Sequence, residues 1–288
     1  MRHRRPLRSR LTSLLVLLAG LGAAAATTPA TAEIVSERVN YMYGGDPYYA
    51  WLVHDDSLPT PRPAVILFHE WWGLEDFALE QARALAEAGY VVFCADMYGM
   101  DESGENIVAE TPQEAQRLSG RLYRDRVWMR QLATSAYVNA AQQPQVDPSR
   151  IATIGFGFGG TVAVELARSG ARLQGTICFH GGLHNPSPDG AERVRGEVLV
   201  LQGTEDPMVP DAEIDAFEQE MDAAGKPFQV IRISGAEHAF SNRRSDFWEI
   251  PGASFDQRAA EISQGHVLDF FDRTLGGPTQ GKPRIGDT

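Results

Sequence analysis

Four loops concentrate residues able to do chemistry: His69-Glu70-Trp71-Trp72-Gly73, Gly155-Phe156-Gly157-Phe158-Gly159-Gly160, Gly203-Thr204-Glu205-Asp206-Pro207 and Gly235-Ala236-Glu237-His238-Ala239-Phe240. Asp206 and the later His238 can form an oriented acid–base pair. The carboxylate would fix the imidazole tautomer while the other ring nitrogen removes a proton. Glu70 is a further acid–base candidate, whose alternative is a solvated loop acid. Of Trp71 and Trp72, one is expected to line a pocket and one to cap the core. Gly155, Gly157 and Gly160 also spell the G-x-G-x-x-G of a dinucleotide site. The next apolar run, however, ends in Phe179-His180 with no acid for a ribose. His180 and His184 are four apart, but Gly181 and Gly182 preclude a stable helix between them, so no metal site is expected.

These loops need rigid elements beneath them. Val35 to Tyr43 and Tyr48 to His54 read as two strands around a Gly44-Gly45-Asp46-Pro47 turn. Ala64–Phe68 and Val91–Ala95 are continuous apolar runs, as expected for strands buried on both faces. Leu74 to Ala88 has helical spacing and stops at Gly89. Thr111 to Gln143 is a long helical region with a break expected near Ser119-Gly120. Asp147-Pro148-Ser149-Arg150 reads as a turn into the strand Ile151–Ile154. Helix is expected over Thr161–Arg168, Asp211–Ala224 and Ala259–Leu275, and strand over Gly175–Phe179, Val198–Gln202 and Phe228–Ile233. Such alternation implies an α/β fold: a mostly parallel sheet with helices on both faces. All four loops then leave the carboxyl ends of strands, where open α/β sheets carry their functional residues.

The chain has 288 residues, 43% of them hydrophobic and 22% charged, which argues against disorder, collagen and polytopic membrane folds. With 26 Lys and Arg against 38 Asp and Glu, it lacks the clustered positive charge that nucleic acids require. Arg2, Arg4, Arg5, Arg8 and Arg10 precede an apolar run from Leu11 to Ala26, and Ala30-Thr31-Ala32 follows. That order of charged, apolar and small residues predicts a secretory signal peptide over 1–32. As a helix the apolar run would span about 24 Å against a hydrocarbon core of ~30 Å, too short for an anchor. The expected product begins at Glu33, is exported to the periplasm or the extracellular space, and makes no stable membrane association. Export would remove five of the 26 basic residues and no acid. Residues 33–275 form the expected domain, and 276–288 a Gly/Pro-rich tail.

The order of strand-to-helix glycine turn, aspartate and histidine resembles the dienelactone hydrolase family of the α/β-hydrolase fold, over most of residues 36–275. The stretches that carry the resemblance include His69-Glu70 with Gly73-Leu74, Ala95-Asp96-Met97-Tyr98-Gly99 and the glycine turn with its helix. Phe179-His180-Gly181-Gly182-Leu183, Leu201-Gln202-Gly203 through Asp206-Pro207 and Val209-Pro210, and His238-Ala239-Phe240 also match. In that family a cysteine occupies the sharp nucleophile elbow after the central strand. The resemblance implies that Asp206 orients His238, that Glu70 interacts with the nucleophile position, and that the N–H groups of Phe158 and Trp71 form the oxyanion hole. The nucleophile position itself falls on Gly157, which has no side chain. Arginines expected two residues after Tyr98 and four after His238 are Met100 and Asn242, with Arg243 one step on. Those arginines suit a carboxylate-bearing substrate.

The resemblance therefore implies a hydrolase of a small ester or lactone whose catalysis is impaired or altered by Gly157, with no cofactor. The alternative is a non-catalytic ligand-binding protein on the same fold. In the strand order of the fold, two strands separate Cys94 from Cys178, roughly 14 Å at ~4.8 Å per spacing. A disulfide needs Cα atoms within about 7 Å, so both are expected as unpaired core thiols.

Overall fold

Apolar runs and helix caps organise residues 33–187 and 190–277, the residues described by this computed structural model. Residues 1–32, expected as a signal peptide, and the tail beyond Gly277 lie outside them. The chain runs β1 (Ile34–Tyr43), β2 (Asp46–Asp55), β3 (Arg62–Phe68), α1 (Asp76–Glu87), β4 (Val91–Ala95), α2 (Pro112–Arg124), α3 (Arg126–Ala141) and β5 (Val146–Phe156). It continues through α4 (Phe158–Arg168), β6 (Gly175–Phe179), α5 (Gly190–Arg193), β7 (Glu197–Gly203), α6 (Asp211–Ala223), β8 (Phe228–Ile233), a 3-10 turn at Ser245–Trp248, and α7 (Gln257–Leu275). The eight strands form one sheet in the order β1-β2-β4-β3-β5-β6-β7-β8. β2 is antiparallel to both of its neighbours, and the remaining pairs are parallel. This is the mostly parallel sheet that the alternation implied, in the α/β-hydrolase fold that the resemblance implied.

The sheet divides the core into two layers. On one face Phe77, Ala78, Ala82, Leu85 and Ala86 of α1 and Val267, Phe270 and Phe271 of α7 pack on Val65, Leu67 and Val92. On the other face α2, α3, α4 and α6 cover Ile66, Phe68, Phe93 and Val200. Every residue of β3 and β4 is buried, which explains their unbroken apolar runs. β3 and β5 lie between β4 and β6, so Cys94 and Cys178 stand three strand spacings apart, in opposite layers, as buried free thiols. Burial raises both thiol pKa values, that of Cys178 to about 12, which leaves neither as a ready thiolate.

Three local expectations need correction. The break in the long helical region falls at Asp125, not near Ser119-Gly120. Asp125 leaves helical geometry, and its carboxylate accepts a hydrogen bond from Trp128 N at 2.9 Å, starting α3 as an N-cap. Ser119 stays within α2, its hydroxyl donating to Ala115 O four residues back. Asp147-Pro148-Ser149-Arg150 lies within β5 rather than before it, and the pairing with β3 shifts register there, from Arg62 opposite Val146 to Ala64 opposite Ile151. Helix α4 starts at Phe158 instead of Thr161, so the helix begins directly after Gly157.

Candidate active site

Gly157 joins β5 to α4 with φ 52° and ψ −114°. Glycine alone adopts such angles without strain, and a side chain there would stand on a sharp turn at the carboxyl edge of the sheet. The turn is pinned by Gly157 N–H, which donates to Phe179 O at 2.9 Å. A Cβ on Gly157 would have His238 Nε2 at 3.5 Å and His180 Nδ1 at 3.8 Å as its nearest neighbours. The other glycines of the loop serve close packing. A Cβ on Gly155 would sit 2.0 Å from Gly159 O, and one on Gly159 would sit 2.2 Å from Phe68 O. A Cβ on Gly160 would sit 2.9 Å from Cys178 Sγ, so Gly155 and Gly160 of the G-x-G-x-x-G run, like Gly159, are needed for α4 to approach the sheet.

His238 comes from the loop after β8. A short parallel bridge to Ala253 holds it, through His238 N to Gly252 O and Ser254 N to His238 O, each 3.0 Å. Asp206, after β7, is buried and lies 2.9 Å from His238 Nδ1. Burial pushes the Asp206 carboxyl up, but the His238 contact and the N–H of Met208 outweigh it, and the net shift is below the usual carboxylate value. Oδ2 also accepts from Gln202 Nε2, while Oδ1 takes Met208 N and Val209 N. An ionised Asp206 fixes the Nδ1–H tautomer and turns the Nε2 lone pair toward Gly157.

Glu70 is buried, not a solvated loop acid. Burial raises its pKa to about 7 even though Asn242 Nδ2 donates to Oε2 at 2.7 Å. Asn242 stands where the resemblance expected an arginine. Its side chain holds Glu70 and accepts from Arg244 N. Arg243 turns its guanidinium over the Phe255 ring instead, 5.0 Å from the centroid. Met100, at the other expected arginine position, takes the Arg38 guanidinium on its sulfur.

Gly157, Glu70, Trp71, Phe158 and His238 all line one cavity of about 310 Å³. Phe158 opens α4, so its N–H is among the first-turn donors that no helical carbonyl reaches. Trp71 follows Glu70, and the hydroxyl of Tyr98 donates to its carbonyl at 2.8 Å. The expected division of the two tryptophans gives way to a shared role. Trp72 is core, yet it also walls the cavity by stacking on Trp248 at 4.1 Å between centroids. Arg126, Tyr123 and Glu213 line the cavity too. Sequence reasoning did not single them out, nor Asn242 as a partner of Glu70. His180, at the end of β6, lines the cavity as well. Among the described residues no cluster of three or more His, Cys, Asp or Glu is arranged to hold a metal ion.

The model of the dienelactone hydrolase family matches residues 50–275. A dienelactone hydrolase-like promiscuous phosphotriesterase from metagenomic libraries has a crystal structure that superposes with a TM-score of 0.80 at 33% identity, covering 85% of this chain and all of that one. The protein named "Putative carboxymethylenebutenolidase" of Saccharolobus solfataricus is 27% identical over 253 residues, 74% of this chain and 90% of its own length. At 21% identity, a dienelactone hydrolase-type structure from Klebsiella pneumoniae shares the fold, with a TM-score of 0.70 over 84% of this chain and 99% of that one. With the elbow turn, the Asp206–His238 pair and the matched span in agreement, the chain belongs to the dienelactone hydrolase family.

Proposed function

We propose that this protein hydrolyses a small ester or lactone by direct attack of water, with Gly157 at the position that the resemblance gives to the nucleophile. One observation carries the reading. His238 Nε2 faces the Gly157 turn at 3.5 Å from a Cβ position, while Asp206 holds Nδ1. An acyl-enzyme cannot form on glycine. His238 instead takes a proton from a water above Gly157 as the water oxygen attacks the carbonyl carbon. The N–H groups of Phe158 and Trp71 receive the oxyanion, and Asp206 stabilises the imidazolium. Collapse expels the alcohol oxygen, which takes the proton back from His238.

An oxyanion hole and binding alone sustain ~10³–10⁴-fold acceleration in a protease stripped of its triad, so slow but measurable turnover is expected. The test is a panel of p-nitrophenyl esters and lactones. A phosphotriester joins it because the metagenomic relative is a promiscuous phosphotriesterase. His238→Ala should lower kcat/KM of the wild type by about 10²-fold or more. Equal rates for the two proteins would contradict the reading. Saturable ligand binding without turnover would favour the ligand-binding alternative, which the missing side chain at Gly157 also suits. From residues 1–32 we further propose export to the periplasm or beyond.

A further inference from the structure

His180 is a buried titratable group beside the elbow to which this mechanism gives no work. It sits at the carboxyl end of β6, fully buried, with φ 37°, a left-handed conformation that a non-glycine residue rarely adopts. Strain of this kind collects at functional sites. Its Nε2 lies 3.1 Å from Ser241 Oγ. Its Nδ1 has no hydrogen-bond partner and lies 3.8 Å from where a Cβ on Gly157 would stand. The two imidazoles meet there, with ring centroids 4.8 Å apart and planes at 64°. Burial and the neighbouring His238 hold the His180 pKa well below its ordinary value, so the ring stays neutral around pH 7.

We propose that His180 Nδ1 and His238 Nε2 together hold the attacking water, which makes the glycine elbow a two-histidine water site. With Nε2–H donating to Ser241, Nδ1 is left as an acceptor. The water then donates one hydrogen to each imidazole and turns its lone pairs to the cavity, where the substrate carbonyl lies. A buried water needs two or more polar partners, and these two nitrogens supply them. The glycine makes the room. A cysteine or serine side chain would fill the same space, so the missing nucleophile and the unpartnered His180 have one explanation. The proposal rests on the hydrolytic reading for its purpose, and on geometry alone for its existence.

Two measurements test it. A high-resolution crystal structure of the wild type should show an ordered water within ~3.2 Å of both nitrogens, absent from His180→Phe. His180→Phe, checked for folding by thermal melting, should lower kcat by about 10²-fold with KM little changed, because misplacing one reactant costs that much. His180→Asn returns a polar atom near the Nδ1 position and should recover much of the loss, which a merely structural role would not predict. Absence of that water, or a His180→Phe variant as fast as the wild type, overturns the proposal. An acyl group found on His180 itself by peptide mass spectrometry also overturns it, since the imidazole would then be the nucleophile. Should the wild type turn over no faster than His238→Ala, the hydrolytic reading fails alone, and the electron density still decides the water site.

Discussion

Gly157→Cys should convert slow water attack into covalent catalysis. The new Cβ would meet nothing closer than His238 Nε2 at 3.5 Å, so the turn has room for a side chain within reach of the base. The backbone at φ 52° and ψ −114° is strained for any residue with a Cβ, at a cost of about 1–3 kcal/mol in stability. The variant should therefore melt earlier than the wild type while gaining activity. An ester substrate should give a pre-steady-state burst of about one equivalent, absent from the wild type, as the acyl group transfers to sulfur. Adding His238→Ala should remove most of the gain, since the imidazole generates the thiolate. A folded Gly157→Cys protein with neither a burst nor a rate gain would show that the surrounding frame no longer supports acyl transfer.

The second large effect concerns Glu70 and pH. Burial raises its folded pKa to about 7, from an ordinary 4.5 in the unfolded chain. Below about pH 4.5 the carboxyl is protonated in both states, and the native contact with Asn242 costs nothing in charge burial. As pH rises the unfolded chain ionises first, so stability falls until the pH passes the folded pKa. The shift corresponds to about 3 kcal/mol lost across that window. Glu70→Gln keeps an acceptor for Asn242 but does not titrate. Its melting temperature should therefore gain on the wild type between pH 4.5 and 7, then keep a constant lead. Parallel melting profiles for the two proteins from pH 4 to 8 would show that Glu70 is not held protonated.

Much of this was legible in the residues because it depends on local pattern. The all-apolar runs of β3 and β4 announce strands buried on both faces, and the Asp206 and His238 loops follow strand ends in the expected order. Ser119-Gly120 resembles a breaker in sequence, whereas the side chain of Asp125 decides where α3 begins. Glu70 could not be read as buried. Its partner Asn242 is 172 positions away, and only the closed loop arrangement brings them together. His180 was visible as a strand-end histidine, but its lack of a partner is a property of three-dimensional packing. The 3-10 turn at Ser245–Trp248, which sets Trp248 against Trp72, carries no periodic signal in so short a segment.

The central claim is that water, and no side chain of the protein, attacks the substrate. The most direct measurement is the intact mass of the wild-type protein, acid-quenched during turnover of a p-nitrophenyl ester and sampled from the first turnover onward. The account predicts product that accumulates linearly with no burst, and a protein mass that never changes. An acyl-sized increase on any residue, appearing and decaying at rates that match turnover, would contradict it.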